Sequence, residues 1–295
     1  MSAGLLAGGA SAMGPPAPDR ARRTFMDGVA LNLRATYARA YVRVVGSLRE
    51  PVWIVSDAIF PNLGMCAFVL LYRALGAPRD YEALAVIGGI LSTYWLNVLW
   101  GMGTQLYWEK QQGQLQLYFV APCSRMAILS GMALGGVLMT TLRSVVGIAI
   151  GFWVFRVQLA PFDPGTLVAV FIVTMVALYA LGMTLASLFL LYGREAWHVA
   201  NALQEPVYFI SGLYFPIRSL GPMAAVAAGL LPLTLGVDAL RQVLLGEGAR
   251  GLLPVATETA ILLGFAAAFL VLARFSLAHL EGLSKREGRL TQRWQ

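Results

Sequence analysis

Six apolar stretches, at about 52–72, 83–107, 126–155, 165–191, 197–214 and 253–275, dominate this sequence. Crossing the ~30 Å hydrocarbon core of a bilayer takes about 20 helical residues. A segment in lipid must satisfy its own backbone hydrogen bonds, so stretches of this length and spacing are predicted to be helices. Only 13% of the 295 residues are charged, and the mean hydropathy is +0.68. A soluble domain is roughly 25% charged. The chain therefore reads as an all-α membrane protein with six transmembrane helices within 51–275.

The flanks behave differently. Residues 1–24 are rich in Ala, Gly and Pro, and no basic region precedes Leu5-Leu6. That composition predicts a disordered cytoplasmic tail rather than a signal peptide. In 25–50, Val29, Leu33, Tyr37, Tyr41, Val44 and Leu48 recur at helical spacing and share one face, with Asn32, Arg39 and Arg43 on the other. This pattern predicts an amphipathic helix lying in the membrane interface, its arginines among anionic headgroups. Pro51 then breaks the chain. Residues 276–295 form a basic tail with Lys285, Arg286, Arg289 and Arg293. Between spans five and six, Met223–Leu235 is apolar but short and broken by Pro232, which predicts a re-entrant element within 215–252. Asp238 and Arg241 lie one helical turn apart, the spacing of a local ion pair.

Charge sets the expected orientation. With both ends inside, fifteen of the 22 Lys and Arg residues fall on the cytoplasmic side and six outside, as the positive-inside rule requires. The polar run Trp108–Ser124 is then cytoplasmic. Cys66 is placed in a span and Cys123 in that run, so no disulfide is expected.

Several chemistries are excluded. A P-loop needs Gly before its Lys and Ser or Thr after it. The two lysines, Lys110 and Lys285, follow Glu109 and Ser284, so this sequence carries no ATP site of that kind. There is no HExxH, no paired-cysteine metal motif and no GxSxG turn, and His198 and His279 stand far apart. Gly131 and Gly135 fit the GxxxG pattern of close helix packing. Ionisable residues within spans are costly and therefore informative. Asp57 and Glu205 lie about 10 Å in from the cytoplasmic side, at 1.5 Å per residue. Arg143 and Glu258 are both placed in the outer half, and two readings stand: each snorkels separately to an interface, or the two pair or face one water-filled cavity.

Three stretches taken in order resemble one family. Arg49-Glu50-Pro51 follows the amphipathic helix; EKQQGQLQLYFVAP runs from Glu109 to Pro122; and SGLYFPI from Ser211 is followed by Leu231-Pro232-Leu233, Asp238-Ala239-Leu240-Arg241 and Leu245-Gly246. Over about 25–275 the chain is similar to permease subunits of ABC-2 type exporters, the group that includes daunorubicin-resistance, nodulation-factor and polysaccharide export permeases. The resemblance implies a cytoplasmic coupling helix that docks into a separate ATPase. Its residues here are Glu109, Lys110, Gly113, Leu115, Leu117, Phe119 and Pro122. The family's acidic residue after Gly-Thr-Leu is replaced by neutral Gln116, which leaves an apolar contact led by Leu115, Leu117 and Phe119.

The resemblance also implies outer re-entrant helices between spans five and six, and a pathway closed by dimerisation through spans one and five. Trp53, Asn62, Tyr208 and Tyr214 would line that pathway, with Asp57, Arg143, Glu205 and Glu258 as intramembrane polar groups. The expected partners are two ABC ATPase subunits, a second permease copy, identical or related, and membrane lipids, without nucleic acid. ATP and Mg belong to the ATPase, and this chain holds no cofactor and is not itself an enzyme. The implied function is export of a hydrophobic drug, lipid-like or glycolipid substrate across a bacterial cytoplasmic membrane. The alternatives are a glycan-export permease of the O-antigen type and a membrane scaffold that transports nothing.

Overall fold

The computed structural model describes residues 25–287 except 193, 194 and 250; the expected tail 1–24 and the last residues of the basic tail lie outside them. Every regular element among the described residues is helical. In chain order these are α1 (Phe25–Leu48), α2 (Pro51–Ala74), α3 (Arg79–Leu96), a π-helical stretch (Asn97–Gly103), α4 (Gln105–Gln111), α5 (Leu115–Val120) and α6 (Arg125–Ala149), which ends in a second π stretch (Ile150–Val154). Then follow α7 (Pro164–Tyr192), α8 (Glu195–Ile210), α9 (Pro222–Ala228), α10 (Pro232–Leu245) and α11 (Val255–Glu287).

Five continuous helical runs are long and apolar enough to cross a membrane: 51–74, 79–111, 125–154, 164–190 and 255–279. The expected fifth span is α8, a 16-residue helix. At 1.5 Å per residue it is about 24 Å long, short of the ~30 Å hydrocarbon core. The expected re-entrant element is α9 and α10, bent by 105° at Gly229–Leu231.

Burial divides the helices by role. α3 is apolar on every side and nearly all buried, from Ala83 through Trp95. It is the central post, packed by α2, α6 and α10. α2 and α11 instead present most of their apolar surface outward. Such faces on a soluble protein would be aggregation sites, whereas in lipid they need no cover. α7 pairs with α11 along its length and meets the π stretch on its other side.

The end of the bundle opposite the α4–α5 loop is tied by Arg241. Its guanidinium is fully buried and donates to the carbonyls of Gly212 at 2.7 Å and Leu84 at 2.8 Å, and to that of Leu213. A local Asp238–Arg241 ion pair was expected. Asp238 instead accepts the Leu252 N–H and a bond from Gln242 at 3.4 Å. The carbonyls left free where α8 ends claim the guanidinium first. At the same end Arg73 bridges Glu82 at 2.8 Å and the Phe155 carbonyl at 2.7 Å.

α1 and α6 run side by side in the same direction. Asn32 accepts the Ser124 N–H at 2.8 Å, and the Thr36 hydroxyl donates to the Ala127 carbonyl at 3.0 Å. Further along, Ala40 and Arg43 lie against Gly135. The GxxxG pair is the seat of this contact. A Cβ on Gly131 would lie 2.5 Å from the Thr36 carbonyl oxygen and 2.7 Å from Arg39 Cβ. We therefore expect Gly131→Val to lift α1 from α6. A disulfide engineered between positions 32 and 124 should form readily in the parent chain and poorly in the Gly131→Val variant.

Candidate functional site

α1 is amphipathic as predicted, but its polar side faces the protein. Leu33, Tyr37, Tyr41 and Leu48 are exposed, while Thr36, Arg39, Ala40 and Arg43 face α6 and the loop. The expectation that Arg39 and Arg43 reach headgroups is thus corrected. In a bilayer the apolar stripe takes the lipid side, and arginines are satisfied by carboxylate and carbonyl oxygens inside. Arg39 makes an ion pair with Glu109 and lies 5.4 Å from the centre of the Tyr118 ring, so one side chain binds both α4 and α5. Burial pushes the Arg39 guanidinium below its ordinary value, with Tyr118 acting the other way. Arg43 donates to the Gly101 carbonyl at 2.7 Å. That carbonyl lies in the π stretch, where the wider turn loosens the ordinary helical ladder.

The α4–α5 hairpin turns at Gly113, whose φ of 74° is the left-handed conformation that glycine adopts without strain. The Gln114 N–H closes the turn on the Glu109 carbonyl at 2.9 Å. Two residues expected on a docking surface are placed elsewhere. Leu115 is buried in the main core, and Glu109 is 2% exposed and held by Arg39 and Gln105. Leu117 and Val120, three residues apart on α5, are exposed at 68% and 84%. Pro122 is exposed and Lys110 half-buried; the side chains of Gln116 and Phe119 lie outside the described residues. Val120 was not singled out in the sequence, although its spacing from Leu117 marks a shared helix face.

Above the hairpin is a cavity of about 1000 Å³. It begins at Glu50, Trp108 and Gln112 beside the loop and reaches Ser92, Gly64 and Tyr214 deeper in the bundle. α2, the π stretch, α6 and α8 each supply a wall. Of the predicted polar residues it collects Asp57, Arg143, Tyr208 and Tyr214, together with Trp53. Asp57 and Arg143 form an ion pair at 2.6 Å. Trp100 donates to Gln204 at 2.7 Å across the α8 wall.

The reading that pairs Arg143 with Glu258 is therefore overturned. α6 with its π extension is 30 residues long, about 45 Å, longer than the ~30 Å bilayer core, so a position along it does not by itself fix a depth. Arg143, far along it in sequence, stands level with Asp57 near the start of α2 and contacts it at 2.6 Å. Glu258 is fully buried at the other end, bonded to Gln242 at 3.1 Å and to the Leu253 N–H at 3.2 Å. Asn62 is also buried, donating to the Ala58 carbonyl and packed against Gly147 rather than lining the cavity. Glu205 is exposed on α8, accepting from Gln204 at 3.0 Å, and stays outside the cavity lining.

Sequence reasoning missed Arg43, Asn97 and Trp100 as cavity residues. Thr36, Arg39 and Arg43 recur at helical spacing opposite the apolar stripe, a signal that this face packs on protein.

No curated protein matches the chain. A family model described as ABC-2 type transporter matches residues 43–245, about two thirds of the chain. The match runs from the Arg43 end of α1 through the hairpin and the cavity walls to the end of α10. With five helices long and apolar enough to cross a membrane, the chain belongs to the ABC-2 type transporter family as a transmembrane permease component.

Proposed function

We propose that this permease exports an amphiphilic or otherwise hydrophobic molecule, with energy supplied by a separate ATPase that grips the α4–α5 hairpin. The observation that carries the reading is the cavity beside that hairpin. It combines aromatic walls with the Asp57–Arg143 ion pair, and it adjoins a loop that presents an exposed apolar pair, Leu117 and Val120, next to a fixed base. The charge count supports a cytoplasmic hairpin and cytoplasmic ends. α1 then lies at the cytoplasmic side with its apolar stripe toward lipid. A second copy of the chain, facing α2 and α8, would close the cavity into a pathway.

Motion in the ATPase must reach the spans through a stiff contact. The Arg39 bridge to Glu109 and Tyr118 makes the hairpin and α1 one body, and Arg43 ties α1 to the cavity wall. The test is co-purification of the full chain with its ATP-hydrolysing subunit. Leu117→Asp with Val120→Asp should reduce capture about tenfold or more, as interface anchors do, and leave the melting temperature unchanged because both side chains are exposed. Leu115→Asp should instead unfold the hairpin. Full capture and coupled transport in the Leu117/Val120 variant would place the docking surface elsewhere. Export of lipid-linked glycan but not of a hydrophobic drug would favour the glycan pathway. A chain that purifies alone and stimulates no ATPase would be a scaffold.

A further inference from the structure

The cavity's charges do not balance in the way its burial demands. Two guanidinium groups line it, from Arg43 and Arg143. Asp57 is bonded to Arg143, and Glu50 stands exposed at the mouth. Arg43 has only the Gly101 carbonyl within bonding distance among the described residues. Its second terminal nitrogen is buried without a partner, and so is Nε of Arg143. Burial lowers the Arg43 guanidinium to about 10, with Tyr179 opposing and Arg39 and Arg143 adding to the fall. It is still a cation at neutral pH. A buried cation without an anion is costly, and two guanidiniums with unused N–H groups offer the forked donors that suit phosphate and carboxylate.

The rest of the lining is of the opposite character. Trp53 and Phe60 from α2, Trp100 from the π stretch and Tyr208 from α8 add aromatic surface to the lining. Trp53 and Phe60 both line the cavity and remain largely exposed on α2, so the cavity opens sideways along α2. We propose that the cavity binds an anionic amphiphile, its phosphate or carboxylate head held between Arg43 and Arg143 and its apolar body laid along Trp53 and Phe60 toward the opening. This names the substrate class of the exporter reading and rests on that reading for the claim that the bound molecule is cargo. Binding itself requires no ATPase.

The experiment uses the full chain in nanodiscs of zwitterionic phosphatidylcholine, read by tryptophan fluorescence against empty nanodiscs. The probes are dodecyl phosphate, dodecyltrimethylammonium and inorganic phosphate. Dodecyl phosphate should bind saturably and about tenfold or more tighter than the cation, the span of a charge-assisted bond. Inorganic phosphate at equal concentration should not displace it. Arg43→Gln should remove the anion preference. Arg143→Gln, which releases Asp57, should turn the preference toward the cation, and Asp57→Asn should keep it on the anion. Displacement by phosphatidylglycerol would assign the anionic head to a bilayer lipid, and its failure to compete would assign it to a single-chain amphiphile. Equal binding of the two dodecyl probes, or tight binding of inorganic phosphate alone, would overturn the proposal. So would an unchanged anion preference in Arg43→Gln. Should that variant not fold, an unchanged preference in Arg143→Gln decides against it equally. Intact binding without ATPase stimulation would count against export and not against this site.

Discussion

Gly88→Ala should leave no folded protein to purify. Gly88 lies on the central helix α3, and a Cβ there would overlap the Leu213 carbonyl oxygen and come within 2.7 Å of the Arg241 guanidinium. Neither neighbour can yield. The Leu213 carbonyl is backbone in the turn after α8, and Arg241 is fixed by that turn and by Leu84. Ordinary overpacking costs about 1–3 kcal/mol. Here the substitution also pulls the carbonyls from a fully buried guanidinium, and stranding a buried charge costs about 3–5 kcal/mol more. The sum approaches the whole stability of a typical domain, about 5–15 kcal/mol. The measurement is yield and a monodisperse peak after detergent extraction. Gly264→Ala on α11, with nothing within 4 Å of the new Cβ, is the control and should behave as the parent. A normal melting temperature for Gly88→Ala would show that α3 and the 211–215 turn do not touch.

Glu109→Ala should cost about 3 kcal/mol, near the low end for breaking a buried pair. Glu109 is 2% exposed and Arg39 15%, so the stranded guanidinium has little access to water. The double variant Arg39→Leu with Glu109→Leu should recover most of the loss. One Glu109 oxygen lacks a partner even in the intact pair, and imperfectly satisfied buried pairs are often replaced by apolar residues at no cost. The two differ in what they do to coupling. Restored melting temperature with lost transport-linked ATPase activity would show that the pair transmits motion rather than only holding the fold. If the single variant melts like the parent, the hairpin is not anchored through Glu109. Arg39→Lys should recover only part, because a compact ammonium does not reproduce the guanidinium's contact over the Tyr118 ring.

Much of the architecture was legible because lipid imposes a strict length rule. The boundaries expected for spans one to four and six agree with the helices within a few residues at most ends, and the Pro232 break was visible as an apolar run too short to cross. The family was legible through the order of loose motifs around that layout. The site was less so. Asp57, Arg143, Tyr208 and Tyr214, singled out in the sequence, all line the cavity, but pairing depends on where each helix begins relative to its neighbours. Counting from the start of α6 placed Arg143 too deep, because a helix of 30 residues need not start at the membrane surface.

Hydropathy, proline and glycine positions and the Lys and Arg distribution determined by themselves that this is a helical membrane protein with an amphipathic first helix, a polar loop after the second span and a broken apolar segment before the last. These follow from local chemistry: backbone satisfaction in lipid and the cost of burying charge. Only the tertiary structure decided that the arginines of α1 face inward, that Glu109 is an internal anchor rather than a docking residue, and that Arg143 belongs to Asp57. An amphipathic pattern records that two faces differ. Which face meets protein depends on whether water or lipid lies on the other side and on what the neighbouring helix offers. Here Gly131 and Gly135 let the α1 backbone come close enough for its polar side chains to reach the carbonyls and the carboxylate behind α6.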